Sequence, residues 1–141
     1  IRCYGVKGGE LVLELPEEAI VDNLNDATAF VGQVRKMGCA VALEHFGTHL
    51  NASQLLQHLE ADFVKLDGSF MHQLAENPVN QSTLRDIVAN AADQGAVIIA
   101  GFVEDAASLN VLWQTGVQFI QGNFLQEPDD MLAFDFSELL A

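Results

Sequence analysis

Five places in this chain carry residue types that chemistry needs. They are Glu14, the pair Glu44-His45, the pair Lys65 and Asp67, the run Gly101 to Glu104, and Gln121-Gly122. Each lies near or at the end of an apolar run, as Glu44 and His45 follow Val41-Ala42-Leu43. Carboxylates, an ammonium and an imidazole gathered on one rim would suit metal-assisted phosphoester chemistry. Carboxylates hold Mg²⁺, the metal polarises the phosphate and activates water, and a lysine stabilises the developing charge. The plainer reading of each acid alone is a solvated strand end. That reading weakens when all five places align.

The elements between must bring these residues together. Leu11–Leu15, Ala40–Glu44, Phe63–Leu66, Ala96–Ala100 and Phe119–Gln121 read as strands. Their nearly continuous apolar character is that of parallel strands buried on both faces. Helical spacing lies between them. Leu24, Ala27, Phe30, Val31, Val34 and Met37 form one apolar face, with Pro16-Glu17-Glu18 as its start and Gly38 as its stop. Leu55, Leu56 and Leu59 form a second face. Leu84, Ile87, Val88, Ala91 and Ala92 follow Asn77-Pro78 and close at Gly95. Leu109, Leu112 and Trp113 follow Asp105, a candidate N-cap, and close at Gly116. The alternation predicts an α/β fold with a parallel sheet. In such folds the carboxyl ends of the strands carry the site. No repeat, linker or low-complexity segment is visible, and Lys7–Leu11 ("KGGEL") reads as a turn rather than a phosphate loop.

At 141 residues the chain suits one domain with a real core. Its net charge of -14 repels duplex nucleic acid and anionic membrane, both bound mainly through phosphate neutralisation. No apolar stretch reaches the roughly 18–20 residues of a membrane span. Cys3 and Cys39 match no zinc spacing and read as reduced, buried thiols of a cytoplasmic protein. The chain begins at Ile1 rather than methionine, so targeting information can lie outside it.

The ordered motifs resemble the EAL domain, the cyclic-di-GMP phosphodiesterase family. The family's "LEITES" corresponds to Leu13-Glu14-Leu15-Pro16-Glu17, and its "ALDDFGTG" to Ala42-Leu43-Glu44-His45-Phe46-Gly47-Thr48-His49. Its "KID" is Lys65-Leu66-Asp67, its "AEGVE" is Ala100 to Glu104, and its "QGY" is Gln121-Gly122-Asn123, with Pro128 after it. The resemblance runs from about Gly9 to about Pro128. It implies a modified TIM-type α/β barrel of which residues 1–141 are the C-terminal portion, with the namesake tripeptide, an arginine and a metal-binding asparagine expected before Ile1. Five strands alone would leave open sheet edges.

The departures fall on the metal site that the resemblance implies. Glu44 and His45 replace two metal-binding aspartates, and His45 is a poor ligand for a hard cation. Gly101 replaces the metal-site glutamate, Phe102 the glycine after it, and His49 the last glycine of "GTG", in a loop that links dimerisation to catalysis in active members. Glu14, Glu44, His45, Lys65 and Gly101 therefore read as vestiges of a catalytic site, with no metal and no cofactor required. The ligand-binding positions remain: Phe102 to stack on a base, Glu104 to accept from a guanine edge, and Gln121, Gly122 and Pro128 where the family contacts cyclic-di-GMP.

One subgroup, the FimX-type receptors of type IV pilus assembly and twitching motility, shares further stretches. They are Asp67-Gly68-Ser69-Phe70, Phe102-Val103-Glu104, Leu112 to Gly116, Phe119 to Gly122, and Phe134-Asp135-Phe136-Ser137. This resemblance implies a catalytically inactive cyclic-di-GMP receptor in the bacterial cytoplasm or at the cell pole. It signals to a PilZ-type adaptor protein, and homodimerisation of the full-length protein stays open. The alternatives are an active phosphodiesterase with an altered metal site and a docking scaffold without ligand. His58 and His72 read as surface residues and Trp113 as core. The acidic stretch from Glu127 to Asp135 reads as a loop and short helix that could dock an adaptor.

Overall fold

Apolar runs bounded by Gly, Asn and Asp become strands here, with Phe63–Leu66 and Val97–Ala100 alternating buried and half-buried residues rather than being buried on both faces as the sequence suggests. In the computed structural model, which describes residues 7–49, 52–128 and 130, they form one parallel sheet. The strands are β1 (Val12–Pro16), β2 (Ala40–Phe46), β3 (Phe63–Leu66), β4 (Val97–Ala100) and β5 (Phe119–Ile120), paired in that order. β1 and β5 are the outer strands, and Val12 (50% exposed) and Phe119 (54%) show it. Val41, Leu43, Phe46, Val64, Ile98 and Ala100 are fully buried in the sheet's core.

The helices are α1 (Glu17–Asp22), α2 (Leu24–Lys36), α3 (Ala52–His58), α4 (Pro78–Asp93) and α5 (Ala106–Thr115). Their ends follow local chemistry. Asn77 accepts from the Asn80 amide with Pro78 at the first helical position of α4, and Asp105 accepts from the Ser108 amide ahead of α5. Gly38, Gly95 and Gly116 take left-handed conformations just past α2, α4 and α5. No described helix is long and apolar enough to cross a membrane.

Two further sequence readings need correction. The first helical segment is two helices, because Asn23 leaves helical geometry (φ -146°, ψ 60°) between α1 and α2. Trp113 is 61% exposed, not core. The buried face of α5 is centred on Ser108 and Leu112, one turn apart, and Trp113 lies about 100° around from Leu112. Lys7–Leu11 is a turn, as read, but a 3₁₀ one (Gly8–Glu10) whose Glu10 carboxylate accepts from the Lys7 amide. Cys39 is a buried free thiol. His58 and His72 are exposed. Cys3, most of the acidic tail and Phe134 to Ser137 lie outside the described residues.

The irregularity that shapes the site is in β2. Leu43 pairs with Val64 and Phe46 with Leu66, so three steps along β2 match two along β3. This β-bulge falls on Glu44 and His45, and His45 takes the left-handed conformation (φ 54°).

Leu43→Ala should lower the unfolding free energy by about 2–5 kcal/mol, because it opens a cavity among fully buried neighbours; a urea titration measures it. Asp105→Ala should lower it by about 1 kcal/mol by losing the N-cap of α5. The Ser108 amide, then the Ser108 hydroxyl, hold the Asp105 carboxyl below the ordinary range. Its contribution is therefore present above the unfolded-state value and fades as pH falls through the depressed folded-state value. The stability difference between wild type and variant should shrink on acidification through that window.

Candidate functional site

The carboxyl ends of the strands meet at a cleft of about 490 Å³. In a regular strand Glu44 and His45 would point to opposite faces. The bulge lets both line the cleft, while Leu43 and Phe46 on either side stay buried. The His45 Nδ1 lies 3.1 Å from Asp67 Oδ2, and its Nε2 lies 4.0 Å from Glu44 Oε2. Asp67 also accepts from the Ser69 amide, capping a 3₁₀ turn at Gly68–Met71. Burial pushes the Asp67 carboxyl up, but hydrogen bonds from Ser69 and His45 outweigh it and leave it below the usual range.

Lys65, on β3, stands between two acids from two other strands. Its Nζ lies 3.2 Å from both carboxylate oxygens of Glu14 and 3.3 Å from Glu44 Oε1. Burial lowers the tendency of the ammonium to hold its proton. The hydrogen bonds and charges of Glu14, then Glu44, outweigh this, so its pKa is raised. Each of these partly exposed pairs contributes no more than about 1 kcal/mol. Their effect is local: the ammonium offsets the mutual repulsion of the two carboxylates.

Two loops close the other side. After β4, Gly101 is buried, Phe102 is left-handed (φ 59°) and 62% exposed, and Val103 is fully buried. This reversal of direction turns the Phe102 ring outward while Val103 packs inward. After β5, the Gln121 amide donates to the Ala100 carbonyl at 2.8 Å. The Val103 amide donates to the Gln121 carbonyl, and the Phe124 amide to the Val103 carbonyl, both at 3.1 Å. Gly122 lies directly against the Val103 backbone, and a Cβ there would overlap its nitrogen and oxygen. Gly122 is therefore needed for close backbone approach as well as lining the cleft.

Of the residues singled out in the sequence, Glu44, His45, Lys65, Gly101, Phe102, Glu104, Gln121, Gly122 and Pro128 all line this cleft. Glu14 does not line it; among the described residues it meets the others through Lys65. Asn123 and Gln126 also line it, and the sequence reading passed over them as contributors. Gln126 precedes Pro128 by two residues in the same loop, a proximity that could have flagged it.

The sequence reading also missed the burial of Glu17, which it used as a helix start and as the end of one matched motif. Glu17 is 1% exposed. Its Oε2 accepts from the Gly47 amide (3.1 Å), the Thr48 amide (2.9 Å) and the Thr48 hydroxyl (2.8 Å), with His49 Nδ1 at 3.3 Å. Its Oε1 has no partner among the described residues. A buried carboxylate is tolerated when hydrogen bonds compensate it, and here they pin the loop after β2 to the start of α1.

The strand-end acids can be tested against the metals that the motif resemblance implies. Among the described residues, no group of three or more His, Cys, Asp or Glu side chains is placed to hold a metal ion. Gly101 contributes no side chain, and Lys65 lies between Glu14 and Glu44. The described donor set does not fit a metal centre.

Residues 2–128 match the EAL domain family. The fold is similar to the FimX EAL domain of Xanthomonas citri, solved in complex with c-diGMP, at a TM-score of 0.88 and 34% identity, over 96% of this chain and 53% of that one. It is similar to the FimX EAL domain of Pseudomonas aeruginosa, bound to c-di-GMP, at a TM-score of 0.87 and 32% identity, over 96% of this chain and 55% of that one. Among curated proteins it is 28% identical over 130 residues to the probable cyclic di-GMP phosphodiesterase PdeA of Escherichia coli, over 92% of this chain and 18% of that protein. The chain thus spans about half the length of the solved domains and under a fifth of PdeA. The chain belongs to the EAL domain family.

Proposed function

We propose that this chain is the C-terminal portion of an EAL domain that binds cyclic-di-GMP without hydrolysing it and reports the bound state to a protein partner. The observation that carries the reading is the Phe102 ring. It stands 62% exposed on a cleft also lined by Glu104, Gln121 and Pro128, at the position where the motif resemblance puts a glycine beside a metal-site glutamate. The roles follow from the motif resemblance and from side-chain chemistry. Phe102 stacks on a base, Glu104 accepts from a guanine edge, and Gln121, Gly122 and Pro128 complete the wall. Glu14, Glu44, His45, Lys65 and Gly101 are the remains of a hydrolytic site, and binding needs no metal. The buried Gly101, which offers no side chain where the motif resemblance puts a metal-site glutamate, supports this. The likeness to FimX domains solved with c-di-GMP supports the ligand; the place in type IV pilus control in the cytoplasm, with a PilZ-type adaptor as the partner, rests on the motif resemblance alone. Hydrolysis is the competing reading, and the likeness to PdeA favours it.

Calorimetric titration of cyclic-di-GMP in EDTA, into protein carrying this chain with the rest of its barrel, should give micromolar or tighter binding. The same protein with Mg²⁺ or Mn²⁺ should show no turnover. Turnover comparable to hydrolysing members would overturn the reading, and the absence of any binding heat would favour a docking scaffold. Phe102→Ala should weaken binding at least about tenfold by removing the stacking face. An unchanged affinity would remove Phe102 from the site.

A further inference from the structure

An exposed aromatic ring is useful for stacking only if it is held in one orientation. Phe102 is 62% exposed, so water covers most of it. What it does rest on is Gly68. A Cβ built on Gly68 would lie 2.8 Å from Phe102 Cδ2 and 3.3 Å from Cγ and Cε2. All three are shorter than the roughly 3.5–4.0 Å optimum between carbons. Gly68 opens the 3₁₀ turn Gly68–Met71 and does not have a positive φ, so its backbone does not demand glycine. Only the ring does. The seat is also tied to the opposite wall of the cleft. Asp67, the cap of that turn, accepts from the Ser69 amide through Oδ1 and faces His45 Nδ1 through Oδ2.

We infer that Gly68 is a positioning residue for the ligand: its bare Cα is the seat of the Phe102 ring, and the ring's pose toward a planar base depends on position 68 having no side chain. The inference rests on the proposed stacking role of Phe102. A methyl group at 68 would displace the ring. Displacement costs folding little, because an exposed ring can swing into water. It costs stacking much, because the ring must lie parallel to a base and in contact with it. Binding and stability should therefore separate, which a merely structural glycine would not produce.

The test uses Gly68→Ala, Phe102→Ala and the double variant in protein carrying this chain with the rest of its barrel. Cyclic-di-GMP titration and thermal unfolding are read for each, and the NMR shift of the Gly68 Hα protons for wild type and Phe102→Ala. In wild type a Gly68 Hα should be shifted upfield by the ring and should return to an ordinary value in Phe102→Ala. Gly68→Ala should leave the melting temperature within about 2 °C of wild type. It should weaken binding about tenfold, and it should cost nothing further once Phe102 is alanine. Wild-type affinity in Gly68→Ala, an equal loss in the Phe102→Ala background, or an unshifted Gly68 Hα in wild type would overturn the inference. Wild-type protein that binds no cyclic-di-GMP would instead sink the functional reading, and the Hα shift would still report whether the ring sits on Gly68.

Discussion

Side chains alternate across a strand, so adjacent residues cannot ordinarily serve the same cleft. The surplus residue in β2 breaks that rule at Glu44 and His45 and restores it at Phe46, which is fully buried. Without the bulge, either the acid or the imidazole would leave the rim, or Phe46 would leave the core. His45 takes a left-handed backbone to make the turn, and Phe102 takes another across the cleft. Each such residue costs roughly 1–3 kcal/mol unless its surroundings enforce it. At His45 the enforcement is visible: Leu43 and Phe46 anchor the strand on both sides, and Asp67 holds the ring.

Charge organises the rest of the rim. The whole sequence carries a net charge of -14 with six Lys and Arg, yet Lys65 is placed beside two of the acids. β1, β2 and β3 are neighbours in the sheet, so Glu14, Glu44 and Lys65 come from three adjacent strands. The same parallel order carries the loops after β4 and β5 to that rim. A parallel sheet does this without special pairing, because every strand ends on the same side.

Much of this was legible because it is local. Four-residue apolar runs with turn residues around them located β3 to the residue, and Asp105, Asn77, Gly38, Gly95 and Gly116 marked helix ends by their own side-chain or backbone chemistry. The strand-end residues were legible because spacing and topology alone bring them to one edge. What escaped depends on partners distant in sequence. The bulge is a mismatch between two strands, so β2 alone does not reveal it. The burial of Glu17 depends on a loop thirty residues on, at Gly47 and Thr48. Trp113 was misplaced because the helix face was judged from apolarity, whereas the small polar Ser108 occupies the buried row.

The loops after β4 and β5 are laced through their backbones, with Val103 bonded to Gln121 and to Phe124 and with Gly122 pressed against it. Phe102 and Glu104 flank Val103 on one loop, and Gln121 and Asn123 flank Gly122 on the other. The spacing of the two backbones that carry them is therefore a property of main-chain atoms. A molecule entering between them meets a gauge already set to one width, and little ordering entropy is spent on arrival. Such a gauge discriminates by thickness and outline. On the proposed reading it would turn away a guest that is too wide, whatever hydrogen bonds that guest could offer.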